Sequence, residues 1–402
     1  MNTGIVVSKL QQNACTLCNG TAITVFIEIP NVPVHCNLLW STKEDAIQVP
    51  RGDIRLGFCQ DCGHIFNLAF KPELMDYTQI YENSLHYSSR FQSYAKSLAT
   101  YLVDRYDLHG KDIIDIGCGK GDFLSLLCEL GNNCGVGFDP AYEFQENNLR
   151  NSTEQITFIQ DFYSERYSNY SADFVCCRHV LEHIQFPNDF LLSIVNSIGN
   201  GTKAVVFFEV PNVLFLLKNS GIWDLIYEHC SYFSSISLFH LFTSCGFKVL
   251  DIKQRYEDQF LCIEASLDEF SKKFGFSFKD DFKELIDGIA TLAEKYRQKV
   301  ENWRDQLEQL AKIGQRIVVW GAGSKGVAFL NALETYDLIE YVVDINPHKQ
   351  GKYIAGSGQQ IVPPEFLQAY QPELVLIMNS IYKNEISRIM KRLGLIAKFI
   401  CM

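Results

Sequence analysis

Ile113-Ile114-Asp115-Ile116-Gly117-Cys118-Gly119-Lys120-Gly121-Asp122 is the stretch on which the reading of this chain turns. A short apolar run ends in a turn with glycine at every second position. It passes at once into Phe123-Leu124-Ser125-Leu126-Leu127-Cys128-Glu129-Leu130, whose apolar spacing is helical and which stops at Gly131. The order predicts strand, loop, helix. Glycines let the backbone turn tightly and approach a ligand where any side chain would collide with it. Asp139 follows Gly135-Val136-Gly137-Phe138, the end of a second predicted strand, and its carboxylate is placed to accept two ribose hydroxyls. The expectation is an adenosine-bearing cofactor held by Asp115, Gly117, Gly119, Gly121 and Asp139.

Spacing separates the candidates. A dinucleotide fold usually shows GxGxxG, whereas Asp-x-Gly-x-Gly-x-Gly closely resembles the class I S-adenosylmethionine (SAM) methyltransferases. SAM has no pyrophosphate, so its site needs acids for an amino group and a ribose more than a phosphate cradle. The resemblance continues downstream. Ile156-Thr157-Phe158-Ile159-Gln160 leads into Asp161-Phe162, where that family meets the adenine, and Ala172-Asp173-Phe174-Val175-Cys176-Cys177 opens its fourth motif. Two strands at 247–252 and 260–265 suit the antiparallel edge that such sheets add. Before the unit, 72–106 reads as helices, with Tyr77, Tyr81, Tyr87, Phe91 and Tyr94 spaced to line one wall.

Composition bounds the partners. The chain of 402 residues has room for two or three domains, and no run in it is long enough to span a bilayer. A net charge of -11 disfavours broad contact with nucleic acid or an anionic membrane, though a local donor cluster can still hold one nucleotide diphosphate. Met1-Asn2-Thr3-Gly4-Ile5-Val6-Val7 shows no charged leader with an apolar stretch behind it, so the 14 cysteines read as thiols and metal ligands in a reducing, cytoplasmic setting.

Cys15-Thr16-Leu17-Cys18 and Cys59-Gln60-Asp61-Cys62 are two CxxC knuckles, each able to turn two sulfurs toward one ion. Together they predict a structural zinc site at Cys15, Cys18, Cys59 and Cys62, closed to a reacting water because all four positions are filled. Between them, 22–29 reads as a strand and 29–33 as a loop, with His35 and Cys36 as spare ligands or packed residues. Further on, Leu285, Ile289, Leu292, Tyr296, Val300, Trp303, Leu307 and Leu310 make a stripe at steps of three or four within a charged helical segment at 268–313. That stripe suits a strut between domains better than a coiled coil. A last strand runs into Gly321-Ala322-Gly323-Ser324-Lys325-Gly326, a GxGxxG loop with Asp344 at the end of the next strand.

Paired zinc knuckles, a SAM fold, Glu228-His229-Cys230-Ser231-Tyr232-Phe233-Ser234 and a closing GxGxxG unit resemble, in that order, the deoxysugar C-methyltransferases. The resemblance implies an α/β protein: a zinc module at 1–72, a Rossmann-like class I methyltransferase domain at 73–267, a helical linker at 268–314, and a second Rossmann-like domain at 315–402 that helps hold a small-molecule, nucleotide-linked 4-keto sugar. It implies deoxysugar biosynthesis and methylation of a carbon beside the ketone. Such a carbon must lose a proton first, so a base and an enolate stabiliser are needed. His229 suits the base, Glu228 can orient or tune it, and Tyr227 or His179 can donate to the oxyanion. Where the family has Tyr-His-Glu-His, this chain has Ile226-Tyr227-Glu228-His229. His179-Val180-Leu181-Glu182-His183 also matches the H-x-x-E-H protease pattern, but its place after the fourth strand of a methyltransferase sheet makes it part of the crevice. The rival reading keeps SAM and makes the acceptor an oxygen or a nitrogen.

Overall fold

The computed structural model describes residues 14–75, 81–142, 155–199, 203–268, 278–334 and 337–402. An antiparallel sheet comes first, with β1 (Ile23–Pro33), β2 (Arg51–Cys59) and β3 (Ile65–Asn67). Contrary to the expected loop at 29–33, β1 runs on through Pro30 and Pro33. Register shifts between Val25 and Ile27 and between Ile29 and Val32 put bulges into it. In the second, Asn31 takes a φ of 57°, its amide donating to Asp53 at 2.9 Å and its carbonyl accepting from Arg51 at 2.8 Å. Bulges on an edge strand tolerate prolines, which bring no N–H to the ladder.

A helix at Ser89–Tyr106 follows, capped by the Ser88 hydroxyl, which accepts from the Phe91 amide at 3.3 Å. The helical reading of 72–106 was too broad. Pro72–Leu74 is a single 3-10 turn and 81–88 is irregular, while Tyr77 lies outside the described residues.

The second sheet takes β4 (Asp112–Ile116), β5 (Cys134–Phe138), β6 (Ile156–Ile159), β7 (Phe174–Arg178) and β8 (Val205–Pro211). The chain then lends β9 (Ser231–Tyr232) to the first sheet, beside β3, before β10 (Lys248–Arg255) and β11 (Phe260–Ser266) complete the second. Its order is β10-β11-β8-β7-β4-β5-β6, and β4 to β8 are parallel. The expected antiparallel edge is one strand, not two. β11 is inserted against both β8 and β10, so β10 runs the same way as β8. The third sheet is wholly parallel: β12 (Ile317–Trp320), β13 (Tyr341–Val343), β14 (Gln360–Val362), β15 (Leu374–Ile377) and β16 (Lys398–Cys401), in the order β14-β13-β12-β15-β16. In both α/β sheets the strand order reverses at the strand that carries the glycine loop, which is where such folds open a crevice.

The charged segment forms one helix, Lys279–Lys312. Leu285, Ile289, Leu292, Val300, Trp303 and Leu307 are buried along it, packed with Ile29 and Leu56 of the first sheet and with Phe329 and Val342 of the third unit. The stripe is therefore an internal strut. At Gly288 a side chain would meet Leu217 of the helix Val213–Lys218, so only glycine lets the two helices come this close. One apolar core thus runs through the first sheet, the strut and the last sheet. Among the described residues no helix is long and apolar enough to cross a membrane.

Candidate functional site

Asp115 is buried at the end of β4, and Gly117, Gly119 and Gly121 follow it with φ of 71°, 57° and 83°. A Cβ at Gly117 would strike Val180, and one at Gly121 would strike the Phe158 ring. At Gly119 the space beyond the backbone is open, and its amide donates to Asp139 Oδ2 at 2.9 Å while Oδ1 accepts from Ala141 at 2.8 Å. Asp139 therefore shapes the loop, and each oxygen keeps a further lone pair for a ribose hydroxyl. After β6, Phe162 stands 61% exposed. Asp161 is more engaged than the sequence suggested. Its carboxylate accepts from the Phe162 amide at 2.8 Å and from the Tyr167 hydroxyl at 2.5 Å, and it pairs with Arg166, so it holds the turn that presents Phe162. A buried acid, left-handed glycines, a second acid with lone pairs to spare and an exposed ring are a set of groups that suits an adenosine-bearing cofactor.

Burial pushes the Asp115 carboxyl up to about 7, against the pull of the Arg178 charge, with Asp139 adding to the rise. The neighbouring Cys118 and Cys176 thiols are pushed well up and stay neutral. An ammonium group gains from Asp115 only when that carboxyl is ionised. SAM is therefore expected to bind about tenfold more weakly at pH 6 than at pH 8 by calorimetry, with the dependence flattened in Asp115→Asn.

At the other end of the first sheet, Cys15 and Cys62 bring their sulfurs to 3.6 Å and Cys18 and Cys59 to 3.5 Å, with all four Sγ atoms within 4.8 Å of one another. Sulfurs about 2.3 Å from one tetrahedral ion would sit about 3.8 Å apart. The Leu17 and Gly20 amides donate to Cys15 and Cys18 sulfur at 3.4 and 3.3 Å, and Gly63 turns the second knuckle with a φ of 73°. The donor set fits a closed zinc site. His35 and Cys36 do not join it. They are buried elsewhere, with His35 Nδ1 lying 3.4 Å from Glu228 Oε1.

A cleft of about 360 Å³ opens between the second and third sheets. His179, Glu182 and His183 line it from the segment after β7, with His229 from the turn before β9 and Tyr256 and Phe260 from the β10–β11 hairpin. Gly321, Lys325 and Asp344 line the opposite wall. The cradle at 117–121 is not part of this wall, but Val180, which packs on Gly117, belongs to the same short segment as His179 and Glu182. The two sites therefore share residues 178–183.

His179 has a φ of 56°, a conformation that a side chain other than glycine's rarely adopts. Its Nε2 lies 3.0 Å from Glu209 Oε1 and its Nδ1 lies 3.7 Å from Glu182 Oε1. Burial opposes charge on the ring, but the Glu182 and Glu209 carboxylates outweigh it and push it up to about 9. Glu209 is held by Arg178 at 3.0 and 2.7 Å and by the Tyr94 hydroxyl; burial raises its carboxyl, and these partners overcome that and keep it well below the usual range. His229 differs. Burial, with His183 beside it, pushes its ring down to about 3, so it is a neutral imidazole. Its ring centroid is 5.0 Å from that of His183.

One expected role is corrected by position. Tyr227 is buried in the first sheet's core, its ring over Gly52 and 5.5 Å from Phe70, and its hydroxyl accepts from the Lys71 amide at 2.8 Å. It lines no part of the cleft and is not placed to meet an oxyanion. The turn at Tyr227 and Glu228 sends the first into the sheet and leaves Glu228 and His229 on the cleft wall, with the Glu228 carboxylate beside His35. The Glu228 carboxylate has no described contact with the His229 ring; both its oxygens lack hydrogen-bond partners among the described residues. Glu228 acts on the histidines through its backbone, its carbonyl lying 2.9 Å from His183 Nδ1. Tyr227→Phe is accordingly expected to leave kcat within about twofold while costing about 1 kcal/mol of stability, measured by steady-state rates and urea unfolding.

Sequence reasoning passed over Arg178 and Glu209, and saw Tyr94 only as one of a wall of aromatic residues. Arg178 and Glu209 are opposite charges that close two adjacent apolar runs, and they stand as register partners across β7 and β8. That pairing was the available signal. The loop at Gly321 repeats the first cradle in outline. Asp344 Oδ2 accepts from the Ala322 amide and Oδ1 from the Asn346 amide, both at 2.8 Å, and Gly326 packs where a Cβ would strike the Gly321 carbonyl. Lys325 crosses to Asp224 at 2.7 Å, tying this loop to the segment after β8.

Residues 87–252 match the family described as methyltransferase domain, and residues 281–401 match the family described as C-methyltransferase C-terminal domain. The C-methyltransferase NovU of Streptomyces niveus is 26% identical over 318 residues, covering 72% of this chain and 72% of the relative. The ubiquinone biosynthesis O-methyltransferase of Proteus mirabilis is 28% identical over 138 residues, which is 33% of this chain and 53% of that protein. Among solved structures, magnesium protoporphyrin IX methyltransferase from Synechocystis with SAH bound overlaps 44% of this chain and 83% of its own at 18% identity and a TM-score of 0.33.

Proposed function

Since this chain is a SAM-dependent methyltransferase, with a methyltransferase domain joined to a C-methyltransferase C-terminal domain, we propose that it methylates a carbon beside a carbonyl, on a nucleotide-linked keto sugar, with His229 as the base. The observation that carries the proposal is the cleft itself: one wall offers His179 and His229, and the facing wall is a glycine loop opening a helix at Ser324–Leu333.

Carbon has no lone pair to offer, so a proton must leave first, and a neighbouring carbonyl makes that loss tolerable. The neutral ring of His229 takes the proton. The imidazolium so formed lies near the Glu182 carboxylate, which offsets part of the cost of its charge. Negative charge moves onto the carbonyl oxygen, where His179, fixed by Glu209 at Nε2, donates from Nδ1, which stands 3.7 Å from Glu182 and so outside hydrogen-bond range of it. Because these ion pairs are set during folding, little reorganisation is left for the reaction. SAM, when bound, supplies the electrophilic methyl group; Asp115, Gly117, Gly119, Gly121, Asp139 and Phe162 would hold it. On the far wall, amides at the start of the Ser324–Leu333 helix and Lys325 suit a diphosphate. Zinc at Cys15, Cys18, Cys59 and Cys62 would clamp the two knuckles and supply no chemistry.

Exchange of substrate protons tests the base. Enzyme, a nucleotide-linked 4-keto sugar and SAH, incubated in deuterated buffer, should exchange the hydrogen on the carbon beside the ketone, and His229→Ala should not. No exchange, with methylation appearing on oxygen or nitrogen once SAM is supplied, would replace the proposal with its O- or N-methyl rival.

A further inference from the structure

Glu182, His183 and His229 bring a carboxylate oxygen and two imidazole nitrogens within 4.8 Å of one another on the wall of the cleft. Two histidines and one carboxylate on one side of an accessible cavity are a ligand set for transition metals, with the remaining positions left to water or a ligand. Two further observations point the same way. Glu182 is 2% exposed, and its Oε2 has no hydrogen-bond partner among the described residues, which is costly for a buried carboxylate unless a cation or donor completes it. His183 Nδ1 lies 2.9 Å from the Glu228 carbonyl oxygen. A carbonyl only accepts, so Nδ1 carries the proton and the ring's lone pair is on Nε2, the arrangement that metal-binding histidines use to fix their tautomer. The two rings meet edge to face, 73° apart, rather than stacking.

We propose that Glu182, His183 and His229 form a binding site for a divalent transition metal, distinct from the four-cysteine cluster, and that an ion there stops methyl transfer. The second half rests on the role given to His229 above: its lone pair can hold a metal or take a proton, not both. Binding is a ligand exchange in which the ion gives up waters for two nitrogens and one carboxylate oxygen, with no change in oxidation state. Imidazole ligands favour zinc, cobalt, nickel or copper over magnesium or calcium.

Cobalt(II) is the probe, added to enzyme whose cysteine cluster is already loaded with zinc. One equivalent per chain is expected to give a visible absorption band without thiolate charge transfer, and turnover should fall over the same concentration range and recover on chelation. Glu182→Gln and His183→Asn should each weaken cobalt binding at least tenfold, while the exposed His109→Ala should not. Should a variant fail to fold, proton NMR of the wild-type cobalt protein still decides: two paramagnetically shifted ring N–H signals are expected, and fewer than two contradict the ligand set. Absence of the second cobalt, with normal turnover in metal-free buffer, removes the site and leaves His229 as the base. Turnover that requires the added metal overturns both the exclusion and the base.

Discussion

His229→Ala is expected to lower kcat by about three orders of magnitude while leaving the dissociation constant for SAM unchanged. The two effects separate because the histidine lies in the cleft, whereas the SAM cradle is built on the far side of Val180 from glycines and acids that the substitution does not touch. Steady-state rates give the first quantity and calorimetry the second. A loss smaller than tenfold would mean that another group takes the proton. A parallel loss of SAM affinity would mean that the turn before β9 supports the cradle rather than the chemistry. His229→Gln should behave like the alanine variant, since it keeps much of the volume and a hydrogen-bonding group but offers no basic nitrogen.

The second large effect is expected at the cysteine cluster. Cys59→Ser, or removal of the ion, should cost the protein its first sheet and with it all turnover. Structural zinc contributes on the order of 10–16 kcal/mol in small domains, as much as the whole stability of a typical one. Cys59 ends β2, and its amide and carbonyl bind the His64 carbonyl and the Gly63 amide at 2.8 and 2.9 Å, so the knuckle organises the path into β3. β3 in turn pairs with β9, Ile65 opposite Tyr232 and Phe66 opposite Ser231, and β9 begins two residues after His229. Loss of the metal should therefore reach the proposed base through a single strand pairing. Metal analysis should find one zinc per chain fewer in the variant than in the wild type, and the variant's thermal midpoint should fall by more than about 10 °C. A metal-free variant that stays folded and active would show that apolar packing around Cys15, Cys59 and Phe66 holds this region unaided.

Both α/β units were legible because their evidence is local. A strand, a glycine turn and an acid at the end of the next strand fall within one short stretch, and the structure puts Asp139 and Asp344 into the same pair of amide bonds. The cysteine cluster was legible because sulfur spacing is itself geometry. Burial was less visible. Tyr227 and His229 are two residues apart, yet one packs against Gly52 and the other lines the cleft, because a turn separates them and no periodicity marks which side faces in. Arg178 and Glu209 lie far apart in sequence and meet only through the parallel register of β7 and β8, so their pairing depends on sheet order. The added length of β1 was hidden for a related reason: two prolines argue against a strand until the bulges that accommodate them are known.

Where the methyl group goes is the most direct test of the whole account. The enzyme is supplied with SAM carrying a carbon-13 methyl and a nucleotide-linked 4-keto sugar, and the product is read by two-dimensional carbon–proton NMR. The label should appear as a methyl bonded to carbon, with a long-range correlation to the neighbouring carbonyl. A label on oxygen or nitrogen would contradict carbon methylation and leave the cleft histidines without the task assigned to them.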